Sequence, residues 1–386
     1  MYSIKALIHT TACSLFICTT AFSQDSQMGS APQDKYWSPI IVGLPALSVS
    51  PDARSTGMGN VAVATNADAF GICHNMSKMG FISNTWGISL SYTPWMPDLF
   101  KDMNISYLSG YYSFEDATGL RHTLSGSLRY FNIGKAITFP NGVANPVPVH
   151  PYEFGADIGY ALRMHPYWSA GVALRYGVSD YNFSVNQVTS KAQTILCDLS
   201  LTYRAPVNIA NHNAMVQAAI ATNNIGGKLT HDDGKTYLFS PAVFRVGVGV
   251  DTQISSIHQL GVYTEATKLM VPIFPIGTGG QKDKEKYYSQ SILKALFGSW
   301  GDNPRGFIGE LKEMSFAMGA EYTYAERLTA RVGYHFQNAM SGTNGGLSMG
   351  AGIVYEFVKF DVSYFLADRP NSPLNNTLRL TVTLSF

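Results

Sequence analysis

The residue types able to do chemistry in this chain are few and scattered. Cys73 and His74 stand side by side, a thiol next to an imidazole, as in a thiol nucleophile with its base or half of a metal site. Neighbours in an extended segment point to opposite sides, however, and no second His or Cys at metal-ligand spacing lies nearby. Gly57-Met58-Gly59 has two glycines of a dinucleotide-binding turn but neither the third nor a strand–helix frame, so it reads as a flexible or tight-turn element. No Gly-x-Ser-x-Gly nucleophile elbow, His-Glu-x-x-His or phosphate-loop element is expected. His122, His165, His258 and His335 are spread along the chain rather than gathered as a Ser/His/Asp rim would need. The expectation is a protein that is not an enzyme, with no cofactor and no metal. Arg54, two residues after Asp52, needs a carboxylate or carbonyl partner if buried, which predicts an anchoring role.

The stretch holding these residues, Val49–Phe81, is rich in alanine and glycine and is followed by strand-like sequence to the last residue. A compact, pliable segment ahead of a barrel-like array predicts a hatch packed inside the barrel, with Asp52, Arg54, Gly57 and Gly59 as its structural residues; a short soluble cap is the plainer alternative. Period-two alternation recurs in about fourteen segments, from Trp86–Tyr92 through Leu120–Ile133 to Thr377–Phe386. In the last, Leu378, Leu380, Val382, Leu384 and Phe386 take one face and Thr377, Arg379, Thr381, Thr383 and Ser385 the other. The expected fold class is all-β: a transmembrane antiparallel β-barrel with an N-terminal hatch. An even strand number suits a single-chain bacterial barrel. Long connections (Gly134–Pro151, Ile225–Pro241, Leu269–Lys312, Ala367–Asn375) alternate with short ones (His165–Tyr167, Ala325–Arg327, Val358–Lys359), as they do when both termini are periplasmic; Ala205–Asn213 breaks the rule mildly.

Composition agrees. Only 14% of the 386 residues are charged, 12% are aromatic, and the net charge is +1, which gives no sign of a nucleic-acid partner. Mean hydropathy is near zero at +0.01. A helical membrane protein needs apolar runs of about 20 residues, and the chain beyond its N-terminus has none. Residues 1–23 read as a secretory signal: Lys5, an apolar run Ala6–Cys18, then Ala21 and Ser23 before cleavage at Gln24. Residues 24–85 would then be the periplasmic segment and hatch, and 86–386 an outer-membrane barrel. Of four cysteines, Cys73 and Cys197 remain in the mature chain, too few for a disulfide framework.

The long connection Leu269–Lys312 carries a mixed charge run, Lys282–Lys286, and then Tyr287–Trp300, where Ile292, Leu293, Leu296 and Phe297 mark one face of a short amphipathic helix. Such a face buries itself on the barrel rim or on a partner. Tyr287, Tyr288, Ile292, Leu296, Phe297 and Trp300 are the candidate partner-binding residues, because aromatic anchors dominate binding energy.

Ser50–Ala69, SPDARSTGMGNVAVATNADA, and Ser372–Arg379, SPLNNTLR, running into the last strand, resemble the PorV/PorQ family of the Bacteroidota type IX secretion system. That family belongs to the FadL-like barrels, whose fourteen strands surround a hatch. One departure is Asn75-Met76-Ser77 where the family carries Asn-Pro-Ala, which leaves a diverged paralogue open. The resemblance implies an outer-membrane shuttle that takes secreted cargo proteins by a C-terminal signal domain from the translocon barrel to a surface sortase and attachment complex. The rival it also implies is a FadL-like conduit for hydrophobic small molecules, with Ser50–Phe81 as its gate. The outer-membrane lipid is the remaining expected partner.

Overall fold

The computed structural model describes residues 40–97, 100–138, 147–185, 188–231, 234, 236–274, 280–337, 345–369, 372 and 374–386. The expected signal and the polar segment after it lie outside the described residues.

Among the described residues eighteen strands follow one another: β1 (Trp86–Pro94), β2 (Asn104–Glu115), β3 (Arg121–Asn132), β4 (Ala136–Thr138), β5 (Val147–Val149), β6 (Tyr152–His165), β7 (Trp168–Val185), β8 (Val188–Ile209), β9 (His212–Gly226), β10 (Lys228–Leu229), β11 (Leu238–Phe239), β12 (Val243–Ser255), β13 (His258–Leu269), β14 (Ser315–Tyr324), β15 (Leu328–Phe336), β16 (Gly346–Tyr355), β17 (Val358–Ala367) and β18 (Thr377–Ser385). Fourteen form one closed antiparallel barrel; β4–β5 and β10–β11 are two small ribbons within long connections. Closure comes from β1, which pairs with β2 on one side and β18 on the other, with Gly87 opposite Ser385 and Tyr92 opposite Leu380. The barrel sheet has no open edge, which removes the template for edge-to-edge aggregation there. No described helix is long and apolar enough to cross a membrane.

Each strand sends alternate side chains outward and inward. On β3, Leu124, Leu128 and Tyr130 face out and are about half exposed, while Ser125, Ser127 and Arg129 face in and are buried. The outward set of β18 is Leu378, Leu380 and Val382; the inward set is Thr377, Arg379 and Thr381. A wall that is apolar outside and polar inside suits lipid outside and a filled, polar lumen within. Aromatic rings collect at both ends. Trp86 stacks on Phe386 at 4.3 Å and Phe357 on Phe386 at 4.8 Å, beside the short turns. At the opposite end Tyr130 stacks on Tyr152 at 5.8 Å and Tyr334 lies 4.4 Å from Phe336.

The short connections differ from expectation in two places. Ala205–Asn213 is no exception: β8 runs on to Ile209 and β9 starts at His212, joined by Ala210 and Asn211 with φ of 50° and 67°. Two positive-φ residues are the tight hairpin turn that matches strand twist. The last short turn is Glu356–Phe357, with Glu356 at φ 55°, not Val358–Lys359, which pair inside the β-ladder. Every described connection at the end shared by Trp86 and Phe386 is therefore short, and the long ones gather at the other end.

Residues 44–82 fill the lumen. They contain two single-turn α-helices, α1 (Ala53–Thr56) and α2 (Gly71–His74), and two 3₁₀ turns, Pro45–Ser48 and Met76–Phe81. Small residues let the segment touch the wall. Gly59, at φ +74°, lies where an added Cβ would sit 2.8 Å from the Tyr334 backbone, and a Cβ on Gly57 would meet Gly350 Cα at 3.1 Å. Their role is close approach as much as turning.

Candidate functional site

Polar contacts bolt the hatch to the wall beside small apolar clusters, such as Met58 and Val61 against Tyr263 and Ala317, and Val63 and Ala64 against Ala219 and Ala221. Asp52 caps α1, accepting from Ser55 N at 2.7 Å and Ser55 Oγ at 2.6 Å, and its Oδ1 lies 2.8 Å from His74 Nε2. Burial by itself raises this carboxyl, but the bonds and charge from His74 and the bonds from Ser55 outweigh it and hold Asp52 below the ordinary carboxylate range. Arg54 donates to both carboxylate oxygens of Glu321 on β14, at 2.9 and 2.8 Å, and to Asp68 and the Asn66 carbonyl at 2.9 Å each. Glu321 also accepts from Arg331 at 2.6 Å, and Arg331 donates to Asp361 at 2.7 Å. On β13, Glu265 accepts from the amides of Ala62 and Val63 at 2.7 and 2.9 Å, and Arg245 pairs with it at 2.9 Å. Asn75 donates to Thr202, Ser91 to the Pro51 carbonyl and the Ala53 amide to Thr381. Four expected hatch residues thus take two kinds of place: Asp52 and Arg54 in the polar network, Gly57 and Gly59 against wall backbone.

Cys73 and His74 part company. Arg129 Nη2 donates to Cys73 Sγ at 2.8 Å while His74 turns to Asp52, so no thiol–imidazole dyad forms. Cys73 and Cys197 are both free thiols. A Gly-x-Ser-x-Gly run does occur, at Gly346–Gly350, but it lies in mid-strand on β16, with Ser348 buried against the lumen. It lacks the strand-to-helix elbow that exposes a nucleophile. Between hatch and wall, a cavity of about 10 Å³ is lined by Ser50, His74, Asn223 and Arg245 among others. A larger depression, about 610 Å³, includes outward positions Leu108, Leu128 and Ile158 in its lining and opens on the outer face of the wall.

The long connection holds three helices, α3 (Gly280–Ser289), α4 (Ile292–Gly298) and α5 (Phe307–Glu313). The break between α3 and α4 falls at Ser291, whose side chain caps α4. Of the six candidate residues, Tyr287 is buried between Phe239 and Phe274, whose ring centroids lie 5.3 and 5.1 Å away. Tyr288 packs beside it and is half-buried. Leu296 is buried with Ala242 and Met270, and Ile292 leans on the same cluster. Phe297 is 77% exposed. Trp300 is partly exposed, edge-on to Phe244 at 5.4 Å. The stripe does not meet the rim as one face: Ile292 and Leu296 turn in while Leu293 and Phe297 turn out. Apolar residues at i, i+1, i+4, i+5 are wider than a single-turn contact can cover, and Phe307, Ile308 and Leu311 on α5 repeat that signal.

One further cluster carries charge. Lys268, 1% exposed, donates to Glu310 at 2.7 Å and Glu313 at 2.8 Å, tying α5 to β13. Asp302, Glu310 and Glu313 bring carboxylate oxygens within 4.8 Å of one another. The Lys268 ammonium already supplies a cation to this cluster, which makes it a clamp. Burial, with the nearby Glu313 and Glu310 charges, pushes the Asp302 carboxyl up to about 6 against the pull of the Ile273 amide.

A closed fourteen-strand antiparallel barrel with an apolar outer wall, an aromatic ring at each end and a segment folded into its lumen is an outer-membrane barrel with an internal hatch. Residues 31–276 match the family model described as type IX secretion system protein PorV, and the chain belongs to that family. Among solved structures it is similar to the Ralstonia pickettii toluene transporter TbuX, at 12% identity over 86% of this chain and 97% of that one, TM-score 0.47. It is also similar to the Pseudomonas putida toluene transporter TodX, at 10% identity over 86% and 97%, TM-score 0.49. A Pseudomonas aeruginosa FadL homologue is similar at 11% identity over 87% and 98%, TM-score 0.45. No curated protein sequence matches significantly.

Proposed function

We propose that this protein is a non-enzymatic carrier in type IX secretion: it binds the C-terminal signal domain of secreted cargo at its extracellular end and delivers it from the translocon barrel to the surface sortase and attachment complex. Phe386 lies at the end of the short turns, the periplasmic side on this reading; the long connections face outward, and the first described residues lie among them, with Val42 bridging Phe239. Family membership supports the pathway. The observation that carries the binding role is the free edge of α4, where Leu293 is 66% and Phe297 77% exposed while Ile292 and Leu296 on the same helix hold it to the rim. A large aromatic held out on a fixed support loses little entropy on binding, which is what a hot spot needs. Tyr287, Tyr288, Ile292 and Leu296 shape this support from beneath, and Phe297 makes the contact, with Trp300 at its margin.

The experiment is a mild-detergent pull-down from outer membranes with a tag ahead of residue 36, read by mass spectrometry. Secreted proteins sharing a C-terminal β domain, a giant translocon barrel or a sortase are the expected companions. Phe297→Ser is expected to reduce cargo recovery about tenfold, the order of a lost aromatic anchor, with the barrel still folded. Unchanged recovery removes Phe297 from the contact, and a barrel that copurifies with lipid or fatty acid alone favours the small-molecule conduit.

A further inference from the structure

Along β12 and β13 the outward face carries Val246, Val248 and Val262, which are 41%, 53% and 45% exposed. Strand alternation puts Phe244 and Lys268 on that same outward face, and the two stand directly opposite each other in the ladder. Yet Lys268 is 1% exposed. Something covers the outside of the wall there, and it is the long connection: Glu310 and Glu313 of α5 hold the Lys268 ammonium, and the Trp300 ring lies 5.7 Å from it and edge-on to Phe244. The connection therefore does not only cap the barrel mouth. It folds over the rim and down the outer wall.

Its depth follows from the register. Val246, opposite Ala266, is the next outward position below Phe244 and is open to the surroundings. They are two residues apart, about 7 Å along the strand. Covered wall and lipid-facing wall are thus neighbours on the same strands. With Glu310 and Glu313 turned to Lys268, α5 leaves Phe307 76%, Ile308 66% and Leu311 39% exposed. Three large apolar side chains on one short helix, continuous with the lipid-facing band, make a surface that water does not suit.

We propose that α5, with Trp300, is a membrane foot: Phe307, Ile308 and Leu311 sit among the acyl chains at the outer-leaflet interface, and the Lys268 clamp fixes the helix against the wall. Trp300 then belongs to the aromatic ring at that level, where an indole suits the boundary between chains and headgroups. The foot adds lipid contact on the side of β12–β13 only and ties the connection that carries Phe297 to the bilayer plane. This inference goes beyond the carrier reading and stands without it.

The test places a nitroxide on Phe307→Cys or Ile308→Cys, in a Cys73→Ser/Cys197→Ser background, with the barrel folded into phosphatidylcholine–phosphatidylglycerol vesicles. Collision with oxygen is compared with collision with a water-soluble nickel chelate. Val248→Cys is the lipid reference and Asp283→Cys the aqueous one. The expected ratio follows Val248 and differs several-fold from Asp283. Labels as open to nickel as Asp283 overturn the proposal. So do labels protected only after a cargo signal domain is added, which gives the face to cargo, or only at high protein-to-lipid ratio, which gives it to a second copy. A second readout leaves both cysteines in place: the fluorescence difference between the native protein and Trp300→Phe is quenched by dibrominated phosphatidylcholine if Trp300 lies in the interface and is untouched if it lies in water.

Discussion

Arg54 shows how little freedom a charge has inside this barrel. Its guanidinium is enclosed, so the folded state is reached only with carboxylates already in place, and Glu321 offers both oxygens to Arg54 while holding Arg331. Breaking one side of a buried pair costs about 3–5 kcal/mol, because the orphaned charge stays desolvated. Glu321→Ala removes the acceptor that two guanidiniums share, leaving Arg54 to Asp68 and Arg331 to Asp361, and is expected to lower stability by about 3 kcal/mol, the lower end of that range, measured as the urea midpoint of the barrel's heat-modifiable gel shift. Arg54→Met leaves the Glu321–Arg331 pair intact and is expected to cost less. A Glu321→Ala barrel as stable as the native one would mean that the network does not hold the hatch. That a buried Arg54 needs a carboxylate or carbonyl partner was legible from the sequence alone. Which acid it meets was not, since Glu321 lies 267 residues away and no local pattern marks it.

The elements differ in how plainly they announce themselves. Strands such as β3 and β18 were readable because a wall with lipid on one side and a polar hatch on the other forces period-two alternation at nearly every position. Turns were less readable: Ala210-Asn211 and Glu356-Phe357 lack the Asn-Gly or Gly signature of a tight hairpin, yet Ala210, Asn211 and Glu356 adopt positive φ because the strands on either side fix the geometry. In the long connection only α4 was legible as an amphipathic helix; α3 and α5 were not, and which apolar residues of these helices the rim would cover depends on where Phe244, Met270 and Lys268 end up. Their attachment carries a pH signature. The Asp302 carboxyl is pushed up to about 6 from 3.8, so the folded connection binds that proton more tightly than the unfolded one. Its contribution is present at low pH and is lost as pH rises through about 6. Two units correspond to about 3 kcal/mol, and the part-exposed site leaves about 1 kcal/mol after screening by water. Asp302→Asn keeps an acceptor for the Ile273 amide and removes the charge beside Glu310 and Glu313. It is expected to slow proteolysis of residues 270–314 several-fold at about pH 8 and to make little difference at about pH 5. Equal protection at both values would show that Asp302 is not under this strain.

At the scale of the whole molecule, the question is whether anything passes through it. A conduit needs its hatch to move, and movement requires the bolts to exchange protein partners for water. Here those bolts come from most of the circumference: Ser91 on β1, Glu153 on β6, Ser200 and Thr202 on β8, Glu265 on β13, Glu321 on β14, Ser363 on β17 and Thr381 on β18. Because several are charged and desolvated, they release together or not at all, and the cost of a concerted release far exceeds that of shifting one flexible gate. A carrier, by contrast, gains from such rigidity, because an extracellular surface set on an unyielding barrel holds its contacts at fixed spacing. The native protein in a planar lipid bilayer is therefore expected to give no steady ionic current, while Glu265→Ala/Glu321→Ala gives intermittent openings as the hatch loosens. Regular large openings of the native barrel would reverse the argument, making the hatch a gate and the small-molecule conduit the better account. A silent double variant that is still folded would instead show that shape alone, through the close fit of Gly57 and Gly59 against the wall, is enough to keep the lumen shut.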